Sequence, residues 1–202
     1  MTQPRSTNLR ILLGVVALVF LVAYFQPFPR RASTSDNVNM AAETPEFISK
    51  LKVTIVQSSK NPPRILSTVT NTGDKPVTIV DYDSPLDTAA LALGRVDFIP
   101  DGEKEPYKLN VVMFRRLWPP PPDALIEILP GESKSEDLLL RAPTVKLDEF
   151  PKKSSATMSG RWMGVFQATK QHVVDKLLED MDTNGSCERG TYSSNTIDFL
   201  LE

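Results

Sequence analysis

The sequence predicts an all-β fold, an antiparallel β-sandwich of the immunoglobulin-like kind with one short inserted helix, preceded by a single N-terminal transmembrane helix. Three observations lead there. From Phe47 onward the chain consists of short apolar runs bounded mostly by Gly, Pro or Asp, the pattern of strands joined by turns without interleaved long helices. Seventeen prolines in 202 residues exceed the usual share of about 5% and disfavour long helices. Upstream of both, Ile11 to Phe25 reads ILLGVVALVFLVAYF without a charge.

Extended by Gln26, Pro27 and Phe28, the apolar stretch reaches the length needed to cross a thin bilayer, since a helix rises ~1.5 Å per residue and the early secretory membrane has a core of ~27 Å. Arg5 and Arg10 precede it and Arg30 and Arg31 follow, so charge does not set its orientation. Tyr24, Phe25, Phe28 and the adjacent prolines leave no small-x-small pair for signal peptidase, which favours an uncleaved signal anchor over a cleaved leader. The expected organisation is a cytosolic tail over 1–10, the anchor over 11–28, a flexible linker over 29–48 and a sandwich domain over 49–202. The linker reading rests on ASTSDNVNMAAETPE from Ala32 onward, too small and polar to order itself by burial. The expected location is a single-pass membrane protein with its domain in the secretory lumen or outside the cell. Cleavage after the dibasic pair Arg30-Arg31 would make it secreted.

Within the domain the strands are read in order. LKVTIVQ alternates Leu51, Val53 and Ile55 with polar partners, and ILSTVTN follows after Asn61-Pro62-Pro63. Asn71-Thr72-Gly73-Asp74-Lys75-Pro76 is a compact turn, and Val77 to Val80 is the third strand. RVDFI, EPYKLNVVMF, ALIEIL, SEDLLL, SGRWMGVFQ and NTIDFLL complete the set. In the last, Ile197, Phe199 and Leu201 share one face. The helix is expected in TKQHVVDKLLEDM, where Val173, Val174, Leu177, Leu178 and Met181 form an apolar stripe and Lys170, Asp175, Lys176, Glu179 and Asp180 the outer face. Pro119 to Pro122 reads as an extended loop.

Chemistry is sparse. One histidine, His172, excludes an H-E-x-x-H zinc site and any Ser-His-Asp triad not built on it. One cysteine, Cys187, excludes an internal disulfide. Residues 1–31 hold four arginines and no acid, so the totals of 23 basic and 25 acidic residues leave 19 and 25 beyond them, a balance of −6. That argues against nucleic-acid binding. Asp81, Asp83 and Asp87 crowd seven residues past a strand end and read as a turn whose carboxylates satisfy local backbone donors rather than as a metal site. Asp180, Asp182 and Asn184, with Gly185, match the first half of a calcium loop, but position 12 is Thr191, not the bidentate acid the loop requires. Asn184-Gly185-Ser186 is a glycosylation acceptor. No catalytic, metal or cofactor residue is assigned.

Several of these segments together carry a resemblance. TVTNTGDKPVTIV with the Leu86-Asp87 pair, VDFIPDGEKEPYKL, ALIEILPGESKSEDLLL with its Leu129–Ser133 turn, and the final TYSSNTIDFLL follow one another as in the propeptide of fungal deuterolysin-type metalloproteases, which the chain resembles over about residues 49–201. The resemblance implies an immunoglobulin-like sandwich in a protein of the secretory pathway. In those proteases a zinc catalytic domain follows, and no H-E-x-x-H is present here to inherit, so no catalytic residue carries over. The expectation is a non-enzymatic, membrane-anchored interaction domain with a protein partner, a protease inhibitor or folding assistant. The alternative is an accessory or divergent enzyme of a secretory or biosynthetic pathway. An enzyme calls for a deep pocket with converging polar groups, a binder for a shallow apolar patch or an open strand edge.

Overall fold

The computed structural model describes residues 45–177 and 187–202. The expected tail and anchor, and the linker up to residue 44, lie outside the described residues. Among the described residues no helix is long and apolar enough to cross a membrane. Ahead of the first strand a one-turn helix α1, Glu46–Ser49, starts after Pro45, and its Ile48 is 2% exposed. The alternation that starts the sandwich at Leu51 therefore has an apolar foothold one turn upstream.

Eight strands follow: β1 Leu51–Lys60, β2 Pro63–Asn71, β3 Val77–Val80, β4 Val96–Pro100, β5 Leu125–Ile128, β6 Ser133–Leu139, β7 Lys153–Phe166 and β8 Glu188–Leu200. They form two sheets with every pairing antiparallel. One has the order β1-β2-β6. The other is built around β7, which pairs β8 along one side and, on the other, first β4 and then β3, with β5 beyond β3. The period-two burial of β2, with Ile65, Ser67, Val69 and Asn71 all inward, is what a sheet with one wet face requires.

Between the sheets lies an aromatic centre. Phe98 meets Phe150 at 5.1 Å and Phe199 at 5.3 Å between ring centroids, both edge-on, the geometry that ring quadrupoles favour. Ile197, Phe199 and Leu201 pack inward as the alternation of the final strand predicts. A smaller cluster, Val80, Tyr82, Ala124, Leu125, Phe166 and Val173, sits on the other face of the β7 sheet. It explains why all four residues of β3 are buried.

That cluster is roofed by the expected helix in altered form. Thr169 caps a single turn, α2 Lys170–His172, its hydroxyl accepting from His172 N, and Val173–Leu177 continues as a π-helical turn. Val173 is fully buried and Val174 packs beside it. Leu178 and Met181 lie outside the described residues.

Three other expectations are corrected. EPYKLNVVMF is not a strand: Tyr107 N donates to Phe98 O at 2.6 Å, but Asn110 N then turns to Thr144 O at 3.0 Å and Val112 N to Ala92 O at 2.8 Å, so the segment leaves the sheet. β7 and β8 each begin earlier than their apolar halves, at Lys153 and Glu188. Their polar halves hold together through cross-strand pairs such as Thr157 with Thr196, 2.8 Å between hydroxyls. Finally, Pro122 does not extend the proline loop but opens a 3-10 turn, Pro122–Ala124.

Candidate functional site

The two lateral edges of the sandwich are closed in different ways. On one side β1 faces β8, and two amide side chains join the sheets. Asn195 accepts from Ile55 N at 2.9 Å and donates to Ile55 O at 3.1 Å. Gln57 does the same to Leu200, at 3.0 and 2.7 Å. Each amide substitutes for the peptide group of a neighbouring strand, so these edge groups are satisfied without a further strand.

On the other side, between β6 and the β4–β5 edge, two long connections do the covering. Residues 81–95 lie against β7, with Ser159 N donating to Arg95 O at 2.9 Å. Tyr192 reaches them from β8 across Gly160. A Cβ at that glycine would stand 2.5 Å from the Tyr192 hydroxyl, which donates to Asp83 O at 2.7 Å. Burial pushes the Tyr192 hydroxyl pKa well up, so it remains a donor.

Residues 101–121 run over the outside of that layer. A connection of this length without regular structure is uncommon in a compact domain unless it is functional. It is also built to stay in place. Arg116 donates to Asp87 Oδ2 at 2.7 Å, and its guanidinium stacks over Tyr82 at 4.8 Å and Phe114 at 5.2 Å. Arg189 stacks over the Trp118 ring at 5.7 Å. Gly94, with φ +68°, lets the loop approach closely: a Cβ there would lie 2.9 Å from Val111 Cγ1. From this base the loop turns apolar side chains outward. Met113 is 99% exposed, Leu117 72%, Val111 60%, Phe114 50% and Val112 43%. Contiguous exposed apolar side chains on a held backbone mark a contact surface.

The aspartates expected to form a turn do so. Asp87 is 3% exposed and accepts from Asp83 N and Ala89 N, each at 2.9 Å, besides Arg116. Asp83 holds a positive φ of 58° and stands 3.5 Å from Arg95 Nε, an ion pair too long to be a good hydrogen bond. Burial, then the Asp87 carboxylate, pushes the Asp81 pKa up to about 6, against the pull of Arg116. Burial followed by the charges of Asp137 and Asp87 raises that of Glu136 on β6. Among the described residues no group of three or more His, Cys, Asp or Glu side chains is placed to hold a metal ion. His172 is exposed and Cys187 partly buried. The calcium candidate Asp180, Asp182 and Asn184, and with it the glycosylation acceptor Asn184, lies outside the described residues.

The local pattern hides the loop, because its apolar residues read as a strand. The signal present was its context: VVMFRRLW ends in two arginines and a tryptophan ahead of four prolines. A cleft of about 580 Å³ lies between α1 and the Asn71–Lys75 turn, edged by Glu46, Lys50, Asp74 and Lys75. It is shallow and opens on solvent, unlike a pocket that encloses a small molecule.

Comparison with known proteins agrees with the architecture. The chain is 29% identical over 153 residues, 74% of its own length and 75% of the relative's, to a protein of Arthroderma benhamiae named uncharacterized secreted protein. A family profile described as immunoglobulin-like domain matches residues 50–201. That span runs from the residue before β1 to the residue after β8, and with two packed antiparallel sheets inside it the chain belongs to the immunoglobulin-like domain family.

Proposed function

We propose that the chain is a non-catalytic interaction domain of the secretory pathway, held on the lumenal or extracellular side of a membrane by its apolar segment 11–28, and that it works by contact through the 111–117 loop. The observation that carries this reading is the loop itself, four strongly exposed apolar side chains on a backbone fixed by Arg116, Val112 N and Gly94. The name of the Arthroderma benhamiae relative supports passage through the secretory pathway, as does the acceptor at Asn184. The likeness to deuterolysin propeptides supports a protein client, a secreted enzyme that the domain inhibits or helps to fold.

The test is a photoreactive residue at position 113 of the full chain in native membranes, with position 52 on the outer face of β1 as control. Specific capture from 113, of protein or of lipid, and none from 52 is expected. Changing Val112, Met113, Phe114 and Leu117 together to Ser is expected to abolish association while leaving cooperative unfolding in place, since exposed substitutions usually stay within about 0.5 kcal/mol each. Equal capture from both positions, or association unaffected by the serines, would remove the loop from the function. Topology is tested separately: the intact protein is expected to resist alkaline extraction and to shift on deglycosylation, whereas a mature N-terminus at Ala32 would make it a processed, soluble protein.

A further inference from the structure

We infer that the tip of the 111–117 loop docks on an anionic lipid bilayer, with Val112, Met113, Phe114 and Leu117 entering the interface and Lys108 and Arg115 resting among the headgroups. This deepens the reading of the loop as the contact surface, on which it rests, and leaves the sandwich faces to a protein client. Shape, charge and reach favour a bilayer over a protein at this tip.

The tip is convex. Met113 at 99% exposure has no wall beside it, whereas side chains that anchor protein complexes fill packed, desolvated pockets. Interfacial insertion needs only protruding apolar groups backed by cations, and the bilayer supplies the cavity. The rigid base matters for the same reason, because a loop already fixed by Arg116–Asp87 and Val112 N–Ala92 O loses little freedom on docking.

Charge is distributed to match. Beyond residue 31 the chain carries 19 basic and 25 acidic residues, yet residues 106–122 contain Lys108, Arg115 and Arg116 and no acid. Arg116 is occupied by Asp87, while Lys108 and Arg115 are exposed. An anionic surface attracts this window and repels the rest of the domain, which sets one orientation. Reach is also sufficient. Residues 29–44 separate the apolar segment from the first described residue, sixteen residues that can span at most about 55 Å. A weak loop–lipid contact is then raised by its high local concentration.

The experiment uses the full chain with Cys187→Ser and one introduced cysteine, Met113→Cys or, as control, Lys52→Cys, carrying a polarity-sensitive fluorophore. The protein is reconstituted in phosphatidylcholine vesicles with or without phosphatidylserine. The label at 113 is expected to shift to the blue and lose access to an aqueous quencher with phosphatidylserine, less so without it, while the label at 52 stays accessible. Arg115→Glu is expected to lower the shielded-to-exposed ratio about tenfold or more, and added salt to lower it further. A label at 113 that stays accessible with phosphatidylserine, or shielding equal at 52 and indifferent to Arg115→Glu, overturns the inference. Photocapture of a protein from 113 alongside an accessible label keeps the loop as contact surface and overturns only its lipid partner. An accessible label with no capture from 113 overturns both.

Discussion

Asn71 shows how single polar residues hold this fold. It is fully buried, donates to Lys75 O at 2.8 Å and Ile128 O at 2.9 Å, and accepts from Gly73 N at 2.9 Å. Its own backbone pairs with the Leu129–Ser133 turn, Asn71 N to Glu132 O at 3.0 Å and Gly131 N to Asn71 O at 2.8 Å. Asn71→Ala strands the buried Ile128 carbonyl, along with the partly buried Lys75 carbonyl and Gly73 amide, and is expected to cost about 3 kcal/mol, read as a lowered denaturant midpoint at unchanged slope. Asp81 acts in the opposite sense. Its folded pKa of about 6 lies above the usual aspartate value of 3.8, so the protonated form favours the fold. Its contribution is complete below the unfolded pKa and is lost as pH rises through about 6. Asp81→Asn is therefore expected to raise the melting temperature above about pH 7 and to have little effect below about pH 4. A melting profile that shows the reverse order would contradict the burial of this carboxylate.

At the scale of elements, β8 is the closing piece. It pairs β7 from Val165 down to Lys153, reaches β1 through Asn195 and Gln57, and supplies Phe199 to the aromatic centre. Phe199→Ala is expected to cost about 3–5 kcal/mol, the usual loss for a fully buried ring. Truncation after Tyr192 removes the ring, both amide clamps and the partner of β7 from Lys153 to Ser159 together. It is expected to abolish soluble expression, because the loss exceeds the ~5–15 kcal/mol that holds a domain folded. A truncated chain that still unfolds cooperatively as a monomer would make β8 dispensable. Replacing Asn195 by Ala is milder, about 1–3 kcal/mol for the two Ile55 groups left without partners.

For the whole molecule, the two ways of closing the sandwich divide its labour. On the β1–β8 side, side-chain amides pair the backbone groups of Ile55 and Leu200, while the opposite side is covered by connections whose packing leaves apolar side chains outside. No described arrangement puts His172 to work: it is exposed beside the Thr169 cap. His172→Ala is expected to leave biological activity within about tenfold, where loss of a true general base costs 10²–10⁴ in rate. A larger loss with folding intact would restore the enzyme alternative.

The alternation of Leu51, Val53 and Ile55, of Ile65 to Asn71, and of Ile197 to Leu201 was enough to predict an antiparallel sandwich, since a strand between a core and water writes its register into every second residue. The motifs behind the propeptide resemblance were legible too, yet their meaning was not. Asn71, Leu129–Ser133, Asp87, Tyr192 and Asn195 all turn out to pin one part of the chain to another. The polar halves of β7 and β8 were missed because Ser, Thr and Gly hold a strand only when a matching partner lies opposite, and that partner is distant in sequence. The loop was misread for a related reason. Valine, methionine and phenylalanine in succession satisfy the local pattern of a strand, but whether they go in or out depends on Thr144 and Ala92 taking the backbone of Asn110 and Val112 away from β4. Sequence patterns record which side chains avoid water when a surface is offered to them. Only the tertiary structure decides where that surface is, and among the described residues none offers it to residues 111–117.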